Sequence, residues 1–292
     1  MGEFQEKGTN WTALWSQLAR VGNTRREKKL EKGEKDRWHS HVESFNLRVY
    51  ERWEQRDSSR QFVLQTLQDI PQATVLDVGA GSGTWTLMMS PLAKSVTALD
   101  SSPTMLDFCK KEVENAGFDN VDIVEGIWPE IAAQVPEHDI TLCSHAMYGC
   151  TDPVAFLKAM IEKTRKRIIL LLRAPSQDGV MAQAAMLVWG HPYDSPNFQI
   201  AYQILLDMGI FPNVIMENEH LWKQWRNKSL EEALAELKGR LGLIEDQQYD
   251  QRLMHLLDEN LVREGEEWVW PADIRTALVW WDVSIPRLKQ ES

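Results

Sequence analysis

The stretch Thr74-Val-Leu-Asp77-Val-Gly79-Ala-Gly81-Ser-Gly83-Thr-Trp85 decides the fold. Val75, Leu76 and Val78 form a short aliphatic and β-branched run of the kind buried on both faces of a parallel sheet. Gly79, Gly81 and Gly83 follow, where backbone can turn tightly and approach a ligand with no Cβ in the way. Thr84 to Ser90 read as a helix, so the stretch is strand, glycine loop and helix in succession. A second strand, Ser95-Val-Thr-Ala-Leu-Asp100, ends in a carboxylate 17 residues beyond Gly83. That is about the distance at which an acidic residue accepts hydrogen bonds from ribose hydroxyls in nucleotide-binding α/β folds.

Outward from this centre the pattern continues. Ser102 is a good N-cap and Pro103 suits the first helical position, so a helix runs from Pro103 to Ala116, where Gly117 ends it. Asn120 to Glu125 is a third strand with the exit loop Gly126-Ile127-Trp128-Pro129. His138 to Ser144 is a fourth strand with the exit His145-Ala-Met-Tyr148-Gly149, and carboxyl ends of central strands are where ligands sit in open α/β sheets. A helix from Pro153 to Lys163, capped by Thr151 or Asp152, leads to a fully apolar fifth strand, Arg167 to Arg173. Five strands alternating with helices predict a Rossmann-like, doubly wound parallel α/β sheet.

The ends are less regular. At the N-terminus a short helix is expected over Trp11 to Leu18, and the mixed-sign run that begins at Arg25 reads as a solvated helix face or mobile segment. Trp38, Val42, Phe45, Val49 and Trp53 recur at three- and four-residue steps, an amphipathic helix, with another over Arg60 to Leu67. After the fifth strand come helices over Val180 to Val188 and Phe198 to Met208, separated by the break His191-Pro-Tyr193. A sixth strand is expected at Val214 to Met216. A capping box, Ser229 to Glu232, opens a helix to Leu241. A helix from Asp250 to Leu261 and a final strand from Arg275 to Asp282 complete the chain.

A net charge of −11 and an isoelectric point near 5.2 argue against a broad nucleic-acid or anionic-membrane footprint. Cys109, Cys143 and Cys150 have neither zinc-site nor disulfide spacing, and Cys109 and Cys143 fall where inert buried thiols are found. With no leader and no membrane-length apolar run, the expectation is a soluble cytoplasmic protein. Of the 13 tryptophans, all but Trp85 and Trp128 cluster before the glycine loop and after the fifth strand, which is either packing material or an aromatic-lined pocket.

The spacing G-x-G-x-G, with Asp77 two positions before the first glycine and Asp100 ending the second strand, resembles motif I and its partner strand in class I S-adenosylmethionine-dependent methyltransferases. The resemblance covers residues 70–175, and the chain looks like members labelled only as general small-molecule methyltransferases. It implies a seven-stranded sheet whose sixth and seventh strands form an antiparallel edge hairpin, with residues 218–267 as a helical insertion. The implied parts are an N-terminal helical lid (1–68), a cofactor-binding core (69–178) and a C-terminal part (179–292) that completes the sheet. The pattern Trp38-His-Ser-His-Val-Glu-Ser-Phe45 resembles the opening of the family's lids.

The resemblance implies S-adenosyl-L-methionine as cofactor, held by Asp77, Gly79, Ala80, Gly81, Gly83, Asp100, Ser101, Met105, Gly126, Ile127, Trp128, Ser144 and His145. Many family members carry an aspartate where Ile127 stands, so the adenine contact falls to backbone at Ile127 and the ring of Trp128. The exit of the fourth strand lacks the Asn/Asp-Pro-Pro-Tyr/Phe motif of enzymes acting on exocyclic base amines or glutamine amides. A small-molecule acceptor follows, with no nucleic acid, membrane or metal, and a monomer or homodimer. His145, Tyr148 and His191 are the candidate groups for orienting or deprotonating that acceptor. The rival readings are a non-catalytic S-adenosylmethionine-binding module and a nicotinamide-dependent oxidoreductase.

Overall fold

The computed structural model describes residues 8–30, 49, 51, 53–55, 57–217 and 222–283. Its centre is a seven-stranded sheet. The strands are β1 (Thr74–Val78), β2 (Ser95–Asp100), β3 (Val121–Glu125), β4 (His138–Ser144), β5 (Thr164–Pro175), β6 (Asn213–Met216) and, last in the chain, β10 (Ile274–Asp282). They lie in the order β3-β2-β1-β4-β5-β10-β6. β1 to β5 pair in parallel, whereas β10 runs antiparallel to both β5 and β6. Chain order reverses direction between β1 and β4, which opens a crevice at their carboxyl ends.

Burial explains why these segments are strands. Val75, Leu76, Ile140, Leu142 and Ile168 to Leu172 are at most 2% exposed, so the central strands contact apolar side chains on both faces. One face is covered by α1 (Trp11–Leu30), α5 (Pro153–Glu162) and α7 (Phe198–Asp207), the other by α2 (Ser58–Asp69) and α3 (Thr84–Met89). α4 (Pro103–Ala116) packs against β2 and β3. The expected caps hold: Ser102 accepts from Met105 N, Gly117 ends α4 at φ 70°, and Asp152 caps α5.

Two expectations need correction. α1 is 20 residues long and carries the first part of the charged run, Arg25 to Leu30, inside it. Arg25 pairs with Glu236 at 3.4 Å and Asn23 Nδ2 donates to Gly149 O at 2.9 Å, so tertiary partners extend the helix past Leu18. The insertion between β6 and β10 is not only helical. Besides α8 (Leu230–Leu241) and α9 (Asp250–Asn260) it forms a small sheet, β7-β9-β8, from Arg226–Asn227, Glu267–Val269 and Val262–Glu264. As expected, β6 and β10 pair antiparallel at the edge of the sheet, with β10 between β5 and β6. The insertion seats its apolar side, including Leu237, Leu253, Leu257 and Trp270, on Val180, Met181, Ala184 and Ala185 of α6 (Val180–Trp189). The expected lid pattern Trp38 to Phe45 lies outside the described residues. Among the described residues no helix is long and apolar enough to cross a membrane.

Candidate functional site

The glycine loop is held from three sides. Gly79 N and Ala80 N donate to Leu99 O at 2.7 and 2.9 Å, which ties the loop to β2. Gly79, Gly81 and Gly83 have φ of 75°, 56° and 85°, a region that L side chains rarely adopt. Their surroundings differ. A Cβ on Gly79 would lie 2.1 Å from Ala146 Cβ, and one on Gly83 would lie 2.4 Å from Cys109 Sγ. On Gly81 it would meet nothing within 4 Å. The outer glycines are therefore required by protein packing, while the middle one borders open space.

Two carboxylates flank the loop in different surroundings. Asp100 accepts from Gly81 N and Ser102 N, each at 2.9 Å, so it links the end of β2 to the middle of the loop. Asp77 is 1% exposed and accepts from Thr86 Oγ1 at 2.7 Å. Burial pushes its pKa up to about 7, with the nearby Asp100 charge adding to the rise and the Thr86 hydrogen bond opposing it. Asp77 thus sits beneath the loop, facing α3, rather than at its open side.

The remaining expected cofactor residues divide. Ser101 is exposed and Gly126 N donates to Asp100 O at 2.9 Å, which places the β3 exit beside Asp100. Ile127 is 60% exposed. Met105 is 2% exposed within α4. The ring of Trp128 points into the core at 6% exposure, packed edge-on to Phe156 with centroids 6.5 Å apart. Its Nε1 donates to Phe156 O at 3.3 Å. The indole thus has its polar edge satisfied against α5.

At the β4 exit the structure collects several aromatic groups. Ser144 Oγ accepts from Trp85 Nε1 at 3.0 Å, and Trp85 meets Trp53 edge-on at 5.2 Å. His145 has φ 56°, and its Nδ1 lies 2.8 Å from Tyr148 Oη. Tyr148 Oη accepts from Arg173 N at 2.6 Å, which anchors the pair to β5. Trp222 stands perpendicular to His145 at 5.3 Å and donates through Nε1 to Thr276 Oγ1 at 3.0 Å. Trp222 comes from the insertion, 77 residues away in the chain, so no local pattern could have pointed to it. His191 belongs to a different aromatic group. It stacks between Trp189 and Tyr193 at 5.7 and 5.9 Å, Tyr193 meets Trp11, and burial lowers the imidazole pKa. Cys109 and Cys143 are buried, and desolvation pushes both thiols up to about 12, as the sequence led one to expect of inert cysteines.

Comparison with known proteins bears on this geometry. Residues 75–167 match the model of a methyltransferase domain. Over 115 residues the chain is 28% identical to a protein of Methanosphaera stadtmanae named as a probable ribosomal RNA small subunit methyltransferase A. That match covers 39% of this chain and 41% of the relative, so the chain spans under half of that protein's length. An uncharacterized protein of Haemophilus influenzae is 24% identical over 225 residues, covering 76% of this chain and 81% of the other. A solved structure from Bacillus halodurans C-125, described as that of a candidate methyltransferase, aligns with a TM-score of 0.50 at 16% identity. It covers 76% of this chain and 99% of that one, and shows a common fold. Residues 75–167 therefore belong to the methyltransferase domain family, and the sheet built around them has the class I S-adenosylmethionine-dependent methyltransferase fold.

Proposed function

We propose that the protein transfers a methyl group from S-adenosylmethionine to a small-molecule acceptor. The observation that carries this reading is the glycine loop with open space at Gly81, tied by the Gly81 amide to Asp100 at the end of β2. The fit to the cofactor rests on that open face, since side chains fill the space around Gly79 and Gly83. Gly79, Ala80, Gly81 and Gly83 would hold the cofactor through backbone, with Asp100, Ser101 and Gly126 around its ribose and Ser144 and His145 toward the β4 side. Asp77 would act from beneath, by bracing the loop against α3. Met105, Ile127 and Trp128 would contribute through backbone or through the packing behind the loop.

When bound, S-adenosylmethionine supplies a methyl group already activated on a sulfonium. The protein's task is then to align an acceptor and exclude water. His145 and Tyr148, joined at 2.8 Å and anchored on Arg173 N, are placed to orient the acceptor and to receive its proton at the imidazole when one must leave. His191, in its own aromatic group, would serve packing.

Two considerations favour a small acceptor over nucleic acid. The similarity to the ribosomal RNA methyltransferase is confined to 39% of the chain. A net charge of −11 provides little to neutralise a phosphate backbone. The aromatic groups around the β4 exit suit a compact organic acceptor. Conversion of S-adenosylmethionine to S-adenosylhomocysteine, followed across a panel of small amines, acids, phenols and thiols, tests the reading. Acceptor-dependent turnover supports it; tight cofactor binding without turnover on any of them would leave the binding-module alternative in its place.

A further inference from the structure

A second open volume lies on the same edge of the sheet as the glycine loop. It is a cleft of about 420 Å³ where β5 ends, α7 begins, β6 ends and β10 begins. This is within the range of small-molecule sites, about 300–1,000 Å³. Pro175, Phe198 and Met216 supply apolar walls, and Met216 is 40% exposed. Four polar side chains also line it: Ser176, whose hydroxyl donates to Asp178, and Gln199, Asp273 and Arg275.

Their roles separate on inspection. Asp273 packs against the start of α6, where a Cβ on Gly179 would lie 2.2 Å from its Oδ2, and burial raises its pKa. Arg275 brings a planar fork of five N–H donors, enough to serve a ligand carboxylate alongside another partner. Gln199 donates through Nε2 to Pro175 O at 2.6 Å, which fixes which end of the amide is nitrogen. Its Oε1 is buried and has no hydrogen-bond partner. Buried acceptors are almost always paired, and this one is met if the amide turns into the cleft toward an arriving donor.

The cleft is joined to the β4 exit by two hydrogen-bonded links. Pro175 lies two residues beyond Arg173, whose N–H holds Tyr148. Thr276, next to Arg275, accepts from Trp222, the ring that stands against His145. A carboxylate reader, a donor reader and an apolar wall in one cleft describe a specific chemistry.

We propose that this cleft binds the methyl acceptor, and that the acceptor is a small amino or hydroxy acid with an apolar side chain. Its carboxylate meets Arg275, its N–H or O–H meets Gln199 Oε1, and its side chain lies against Phe198 and Met216. The proposal rests on the methyl-transfer reading for the word acceptor, but the binding it describes is testable separately.

The experiment is calorimetry on the full chain with S-adenosylhomocysteine present and four probes: phenylalanine, 3-phenyllactate, 3-phenylpropanoate and phenethylamine. The expected result is binding of phenylalanine or 3-phenyllactate, with at least tenfold weaker binding of 3-phenylpropanoate, which lacks the donor, and of phenethylamine, which lacks the carboxylate. Gln199→Leu should erase the first difference and Arg275→Met the second, each with unchanged affinity for S-adenosylhomocysteine. Binding of S-adenosylhomocysteine with no binding of any probe, or with all four bound alike, overturns the cleft assignment. Failure of S-adenosylhomocysteine itself to bind overturns the methyl-transfer reading instead. The wild-type probe series stands on its own should either variant fail to fold.

Discussion

Gly83→Ala measures how tightly the glycine loop is clamped against α4. At φ 85° an alanine costs about 1–2 kcal/mol from backbone sterics alone. The added Cβ would also lie 2.4 Å from Cys109 Sγ, 3.1 Å from its Cβ and 3.3 Å from its Cα. Cys109 is fully buried, so the sulfur has no open direction in which to move, and overpacking of this kind costs about 1–3 kcal/mol. Together the variant should lose about 2–5 kcal/mol. Gly81→Ala, at φ 56° with no atom within 4 Å of the new Cβ, should lose only the backbone share, about 1–2 kcal/mol. Adding Cys109→Ala to Gly83→Ala removes the nearest contact but not the backbone penalty. A double-mutant cycle should therefore show a favourable coupling of about 1–2 kcal/mol. Urea unfolding of wild type, the three single variants and the double variant, without cofactor, gives the numbers. Equal losses at Gly81 and Gly83, with a cycle additive to within about 0.5 kcal/mol, would refute the clamp.

Further expectations concern buried groups. Asp77 titrates near 7 in the folded protein against 3.8 unfolded, so its contribution to stability is complete below pH 3.8 and lost as pH rises through about 7. The size is at most about 4 kcal/mol, and Asp77→Asn, which keeps an acceptor for Thr86, should flatten the stability profile between pH 4 and 8; an unaltered slope rules Asp77 out as its source. Trp128→Ala should cost about 3–5 kcal/mol through the core while leaving S-adenosylhomocysteine affinity within about twofold. A loss of affinity of tenfold or more in a folded Trp128→Phe protein would put the ring back at the cofactor. Arg173→Met strands Asp194, whose side chain is 4% exposed and 3.4 Å from the guanidinium, and should cost about 3 kcal/mol. Thermal unfolding should show most of that loss recovered by adding Asp194→Leu, and no recovery would mean the pair is not coupled.

The centre of the fold was legible because its signals are local. Strand periodicity at Thr74–Val78, the glycines that follow, and the caps at Ser102, Asp152 and Ser229 each depend on residues a few positions apart. The parallel order of β1 to β5 follows from alternation of strand and helix. What could not be read depends on distant partners. α1 continues through its charged run because Glu236, more than 200 residues away, meets Arg25. The three short strands of the insertion are two or three residues long, too short to leave a periodic pattern. Trp128 was ambiguous for a related reason: a tryptophan in a strand exit loop can face ligand or core, and the choice was made by Phe156 on α5. Trp222 reaches His145 from the insertion, and the tryptophan-rich ends thus prove to be partly packing, as at Trp225 and Trp270, and partly wall of the β4 exit.

The most direct test of the central claim is the affinity of the protein for S-adenosylhomocysteine in wild type and in Asp100→Ala, with NADH as control. Asp100 ties Gly81 and Ser102 to the end of β2, and the proposed function places it at the cofactor ribose. Calorimetry should show binding of S-adenosylhomocysteine, a loss of about 1–3 kcal/mol in the variant, and no binding of NADH. Binding of NADH without S-adenosylhomocysteine, or an affinity unchanged by Asp100→Ala, would contradict it.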